Sequence, residues 1–199
     1  MESLCAGAKI PFEVNDRILD RISGKDSCLV AGVFRKYREK LLHGKNHVVL
    51  VNPSDSGNIG TIIRSSVGFG IHDLAIVEPA VDVFHPKTVR ASMGALFHMR
   101  FCYFQDFEAY IRQYGSEREM YPFMLKGENQ LGELEPPKDV PFSLIFGNES
   151  SGLDDTFLHV GKSVLIGHSK EIDSLNLSLA TGIGIYEFTK KAMAKSQEA

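Results

Sequence analysis

The clearest apolar signal in the chain is the short run His47–Val51, which turn-forming residues follow at once and which reads as a buried strand. A polar turn, Pro53-Ser54-Asp55-Ser56-Gly57, leads out of it. From Asn58 the apolar positions change spacing to Ile59, Ile62, Ile63 and Val67, one face of a helix that Gly68 and Gly70 close. Asn58 stands where an N-cap is expected. Arg64 falls close to the opposite side from Ile59 and Ile63, so its guanidinium is free to face a cleft. The same pattern also fits an ordinary strand-to-helix turn with a surface Arg.

Downstream the two periods alternate. Strands are expected over residues 73–78, 99–104, 121–125, 142–146 and 162–166, and helices over 85–92, 106–114 and 173–190. Upstream, Leu29, Val30, Val33, Phe34, Tyr37 and Leu41 predict an amphipathic helix over 26–42, ended by Gly44, and residues 15–22 suggest a brief helix. Alternating strands and helices argue for an α/β fold with a mostly parallel sheet and helices on both faces. The expected division is an N-terminal helical extension, residues 1–46, and an α/β domain, residues 47–199.

Composition narrows the function classes. With 199 residues, 43% of them hydrophobic, the chain can bury a core of its own. No apolar run approaches a membrane span and no signal pattern opens the chain, so a cytoplasmic protein is expected. Cys5, Cys28 and Cys102 are widely spaced and odd in number, which fits reduced thiols; the His residues lack ligand spacing, and no metal is expected. The net charge of -3 gives no global attraction to nucleic acid. Residues 1–46, however, hold nine Lys and Arg against six Asp and Glu, either a solvated face or an RNA-facing one.

Open α/β sheets bind ligands beyond the carboxyl ends of their strands, where three polar loops are expected: residues 53–58, 147–152 and 167–176. Neither a Gly-x-Gly-x-x-Gly fingerprint nor a phosphate-binding Gly-x-x-x-x-Gly-Lys loop is present, which removes the usual support for a nicotinamide-dependent dehydrogenase or a P-loop hydrolase. Glu149 lies in a glycine-flanked turn and could brace a loop or meet a ligand. Ser174, Asn176 and Ser178 could serve as helix caps, but one cap needs only one such side chain. Gly182 and Gly184 within the last helix suggest close backbone packing there, inside the chain or across a dimer.

Together these loops resemble the SpoU (TrmH) family of SPOUT-class RNA 2′-O-ribose methyltransferases. The matching segments are Asn58-Ile59-Gly60-Thr61-Ile62-Ile63-Arg64, then Phe146-Gly147-Asn148-Glu149 with Gly152-Leu153, then Ser174-Leu175-Asn176-Leu177-Ser178 with Ala180. The resemblance implies a C-terminal deep trefoil knot, a homodimer, S-adenosylmethionine as cofactor, and transfer RNA or ribosomal RNA as substrate. By position it implies Arg64, Asn58, Glu149, Ser174 and Asn176 as catalytic or substrate-orienting residues. Leu125, Gly147, Ile166 and Leu175 are the implied cofactor contacts. Where the family usually has Ile-Pro-Met this chain has Ile166-Gly167-His168, which leaves a non-catalytic RNA-binding relative of the same fold as the alternative.

Overall fold

The computed structural model describes residues 2–23 and 30–197. Proximity of Cα atoms divides the chain into two compact units, Met1–Tyr37 and Arg38–Ala199. The first holds helices α1 (Glu2–Gly7) and α2 (Asp16–Ser23); Asn15 Oδ1 accepts the Ile18 amide at 3.2 Å, and Val14, Ile18 and Ile22 are exposed.

The second unit is built on five parallel strands in the order β3-β2-β1-β6-β4: β1 (His47–Val51), β2 (Asp73–Val77), β3 (Arg100–Phe104), β4 (Glu119–Pro122) and β6 (Phe142–Phe146). The three inner strands are buried at every position, which explains why they read as unbroken apolar runs. Helices α3 (Ser56–Gly68), α4 (Pro86–Ala91), α5 (Phe107–Tyr114) and α6 (Leu177–Gln197) complete the unit. Val49, Ala75 and Ile145 join the aromatic rings of Tyr110 and Tyr114 from α5 in one core cluster. On another surface, α3 packs against both α4 and α6.

Three expectations fail. Residues 30–42 form no helix, and the remainder of that expected element, including residues 26–29 and so Cys28, lies outside the described residues. Beyond Tyr37 the backbone finds partners elsewhere: the Glu39 amide donates to Phe101 O at 3.4 Å and the Leu42 amide to Asp73 Oδ1 at 2.9 Å. Long-range pairing with a sheet edge thus replaces the local ladder that the apolar period suggested. The expected sixth strand is only β7 (Val164–Leu165), paired with β5 (Asn129–Gln130) in a separate two-stranded sheet. Asn58 is not the N-cap of α3; Asp55 is, accepting the Asn58 amide at 2.8 Å.

The amino ends of the strands carry a buried polar chain. Arg118 donates to the carbonyls of Tyr114 (3.0 Å), Lys45 (3.1 Å) and His43 (2.7 Å) and to Ser143 Oγ (3.3 Å). Ser143 Oγ lies 2.6 Å from Tyr110 Oη, which lies 2.9 Å from His47 Nδ1. His47 Nε2 donates to the carbonyl of Leu42 at 3.0 Å, because a carbonyl can only accept, and in the neutral ring Nδ1 is then the acceptor. Burial, with the Arg118 guanidinium, pushes His47 down to about 4, and burial pushes Tyr110 up to about 12.

Candidate active site

Every main-sheet strand is parallel, so the loops after β1, β4 and β6 emerge at one end. Glu149 fastens two of them. Its Oε2 accepts the Ser54 amide (3.0 Å) and hydroxyl (2.7 Å), and its Oε1 accepts the Asp55 amide (3.0 Å) and Asn58 Nδ2 (3.3 Å). Burial alone would raise the carboxyl, but these donors outweigh it and hold Glu149 below the usual carboxylate range. Asn148 adds a second fastening, donating to Asn52 O at 2.8 Å.

The loop after β7 joins through Asn58, whose Oδ1 accepts Asn176 Nδ2 at 3.2 Å. Asn176 also accepts the amides of Ser178 (2.9 Å) and Leu179 (3.3 Å), and so caps α6, which begins at Leu177 rather than near Asp173. Glu149, Asn58 and Asn176 therefore form one hydrogen-bonded line from the β6 loop, through α3, to the start of α6. No single segment of sequence contains this line.

Beside it lies a cavity of about 430 Å³. Leu125, Gly147, Ile166 and Leu175 all line it, as do Glu149 and Ser174; Asn58, Arg64 and Asn176 do not. Phe123 and Phe146 supply a stacked aromatic wall, ring centroids 4.4 Å apart. Lys126 and Asp155, both lining residues, form an exposed ion pair at 2.8 Å. Arg64 is exposed on α3 and has no hydrogen bond or ion pair among the described residues, so within one chain it is not part of the line that joins Glu149, Asn58 and Asn176.

Two glycines shape the cavity by close approach. A Cβ on Gly147 would lie 2.1 Å from the carbonyl carbon of Gly152, and one on Gly127 would lie 2.3 Å from that of Val164. The loops cross where only a hydrogen fits. Gly147→Ala is expected to destabilise the protein by about 1–3 kcal/mol and lower its thermal midpoint by about 3–10 °C; an unchanged melting curve would show that the crossing is not tight. Gly184 is explained within the chain, since its Cβ would meet the Phe123 ring at 2.8 Å, whereas outside its own helix the nearest atom of the described residues to a Gly182 Cβ is Ser65 Oγ, at 4.0 Å.

Sequence reasoning missed Ser54 and Asp55 as donors to Glu149. The turn was legible, but backbone amides have no sequence signature of their own. It also missed the Phe123–Phe146 wall, because aromatic residues in or next to strands read as generic core. Among the described residues, no group of three His, Cys, Asp or Glu could hold a metal ion, and no helix is long and apolar enough to cross a membrane.

Comparison with known proteins converges on one family. Residues 45–186 match the model of the SpoU rRNA Methylase family. The chain is 27% identical over 159 residues to the 23S rRNA (guanosine(2553)-2'-O)-methyltransferase RlmP of Bacillus subtilis (strain 168), covering 79% of this chain and 63% of that protein. The AdoMet-bound rRNA methyltransferase from Sinorhizobium meliloti superposes with a TM-score of 0.75 at 27% identity, covering 89% of this chain and 70% of that one. A structure concerned with 2-OH methylation of C/U34 on tRNA gives a TM-score of 0.69 at 25% identity, covering 76% and 99%. The chain thus spans less than two thirds of the length of RlmP.

Proposed function

The chain belongs to the SpoU rRNA methylase family, and from that premise we propose that it methylates a ribose 2′-hydroxyl of ribosomal or transfer RNA with S-adenosylmethionine as donor. The observation that carries this reading is the convergence of three distant loops, through Glu149, Asn58 and Asn176, beside a cavity large enough for a nucleoside ligand. RlmP acts on 23S rRNA and the S. meliloti relative is an AdoMet-bound rRNA methyltransferase, which supports the donor and the RNA class.

The cavity fits that donor. Apolar walls from Phe123, Phe146, Ile166 and Leu175 suit a purine, the close crossing at Gly147 leaves backbone rather than side chain against a ligand, and Asp173 brings a carboxylate to a cationic guest. When bound, the cofactor supplies an electrophilic methyl on a sulfonium whose leaving group departs neutral. The protein's tasks are then alignment and removal of the hydroxyl proton. Glu149 keeps the first two loops in register, Asn176 couples the third to them, and Ser174, which lines the cavity, orients the ligand. Arg64 holds a substrate phosphate with its guanidinium and stabilises the developing alkoxide, while the proton leaves to water or to that phosphate.

The reading includes a homodimer. Leu179, Ile183 and Tyr186 lie at helical spacing along α6 with Gly182 between them; Leu179 and Tyr186 are exposed, and Tyr186 meets Phe69 at the end of α3 with ring centroids 5.6 Å apart. A second copy covering this stripe would allow Arg64 to serve the partner's cavity, which accounts for its isolation in the single chain. A cytoplasmic location goes with this reading, since RNA is the substrate.

Mapping ribose methylation by mass spectrometry in RNA from cells with and without the protein tests the function, and loss of one 2′-O-methyl group is expected. Calorimetry separates the alternative: no binding at millimolar S-adenosylmethionine would indicate a non-catalytic RNA-binding relative. The N-terminal unit is read as an accessory RNA contact. Deletion of residues 1–37, which spares the core residue Leu41, is expected to weaken RNA binding about three- to tenfold and leave cofactor affinity unchanged. Equal losses in both affinities would mark that unit as structural.

A further inference from the structure

The segment that departs from the family pattern places a new polar group in the cavity. His168 lines it, two residues beyond Ile166. Its Nδ1 lies 2.9 Å from the Ile166 carbonyl, and since a carbonyl can only accept, Nδ1 carries the proton. In the tautomer with the proton on Nδ1, Nε2 is the acceptor, and it has no hydrogen-bond partner among the described residues. Apart from its chain neighbours, Gln130 Oε1 at 3.4 Å is the atom of the described residues within 4 Å of where a Gly167 Cβ would be. The hydrogen bond to Ile166 orients the ring. The imidazole engages the Ile166 carbonyl and presents its own acceptor in exchange.

We propose that His168 Nε2 accepts a hydrogen bond from the 6-amino group of the adenine ring, making this residue a determinant of purine selectivity. The inference rests on the S-adenosylmethionine reading above. Three kinds of donor exist on that ligand: the amine, the ribose hydroxyls and the ammonium. An ammonium is better matched by the Asp173 carboxylate, which also lines the cavity. The aromatic amine is matched by an imidazole beside the aliphatic wall of Leu165 and Ile166, where a purine face can lie. A 6-oxo purine would set an oxygen against Nε2, two acceptors facing each other, and would be rejected.

The test is calorimetric titration of the full chain with S-adenosylhomocysteine and with its 6-oxo analogue, S-inosylhomocysteine. The native protein is expected to prefer the 6-amino ligand, and His168→Leu to reduce that preference about five- to tenfold, with thermal melting confirming the fold. His168→Gln, whose amide oxygen can accept, is expected to keep part of it. If S-adenosylhomocysteine binds and His168→Leu leaves the preference unchanged, the assignment to His168 is wrong. If no protein binds S-adenosylhomocysteine at millimolar concentration, the cofactor reading itself falls and takes this inference with it.

Discussion

Replacing Arg64 with Ala is expected to lower methyl-transfer turnover about a hundredfold or more while leaving S-adenosylmethionine affinity within about twofold. The separation follows from where Arg64 stands. It is exposed, makes no hydrogen bond or ion pair among the described residues and does not line the cavity, so its loss removes neither a fold contact nor a cofactor contact. Under the proposed role, what it removes is the cation for the phosphate and for the oxygen that becomes negative during transfer. Arg64→Lys should recover only part of the rate, because a point charge cannot reproduce the planar two-pronged donor. Single-turnover kinetics alongside calorimetry would check this; near-normal turnover in Arg64→Ala would remove the residue from the mechanism.

The same variant decides whether the site is shared between copies. If Arg64 serves its partner's cavity, mixing and refolding Arg64→Ala with Gly147→Ala restores activity. Half of the dimers formed are then mixed, and each has one site with an intact cavity and an intact Arg, so about a quarter of native activity should return. Were Arg64 to act within its own chain, every site in the mixture would lack one component and no activity would return.

Stability is expected to fall by about 3 kcal/mol as the pH drops from 7 to 4, with most of the loss between about 6.5 and 4. The cause is His47, fully buried and pushed down to about 4 from an ordinary 6.5. Between those values the unfolded chain binds a proton that the folded chain refuses, so acid favours unfolding. Protonation would turn Nδ1 into a second donor facing Tyr110 Oη and set a cation near the buried Arg118 guanidinium; Asp73 only partly offsets this. Urea denaturation at several pH values would measure the slope. His47→Gln should be less stable at neutral pH but lose much of the slope. Carboxylates held below their usual range, Glu149 and Glu119 among them, add their own loss at lower pH, so the histidine contribution comes first on acidification. A variant slope as steep as the native one would show that other groups control acid sensitivity.

Some of this protein could be read one residue after another. The inner strands, α3, α5 and the Pro-led α4 all lie within a few residues of where side-chain period and turn chemistry put them. The three polar loops were likewise legible, because glycine, serine and asparagine cluster where a parallel strand must turn toward its helix. Local pattern failed where a backbone group had a distant partner. The helical apolar period from Leu29 to Leu41 predicts a helix over 26–42, yet between Glu39 and Lys45 amides and carbonyls engage Phe101, Asp73 and Arg118. Val164 and Leu165 look like one more strand of the main sheet, yet they pair with Asn129 and Gln130 outside it. Asn58 looks like a cap, yet it is the link between Glu149 and Asn176.

The sequence by itself determined which segments could be strands and helices and which residue types could do chemistry, since both depend on propensities and side-chain periods that act over a few residues. Tertiary structure alone decided that Glu149 is spent on Ser54 and Asp55, that loops cross at Gly147 and Gly127 with no room for a methyl group, and that Arg64 neither lines the cavity nor joins the hydrogen-bonded line beside it. Hydrogen-bond partners nearly a hundred residues apart are chosen when the chain closes on itself, and no short-range period records that choice.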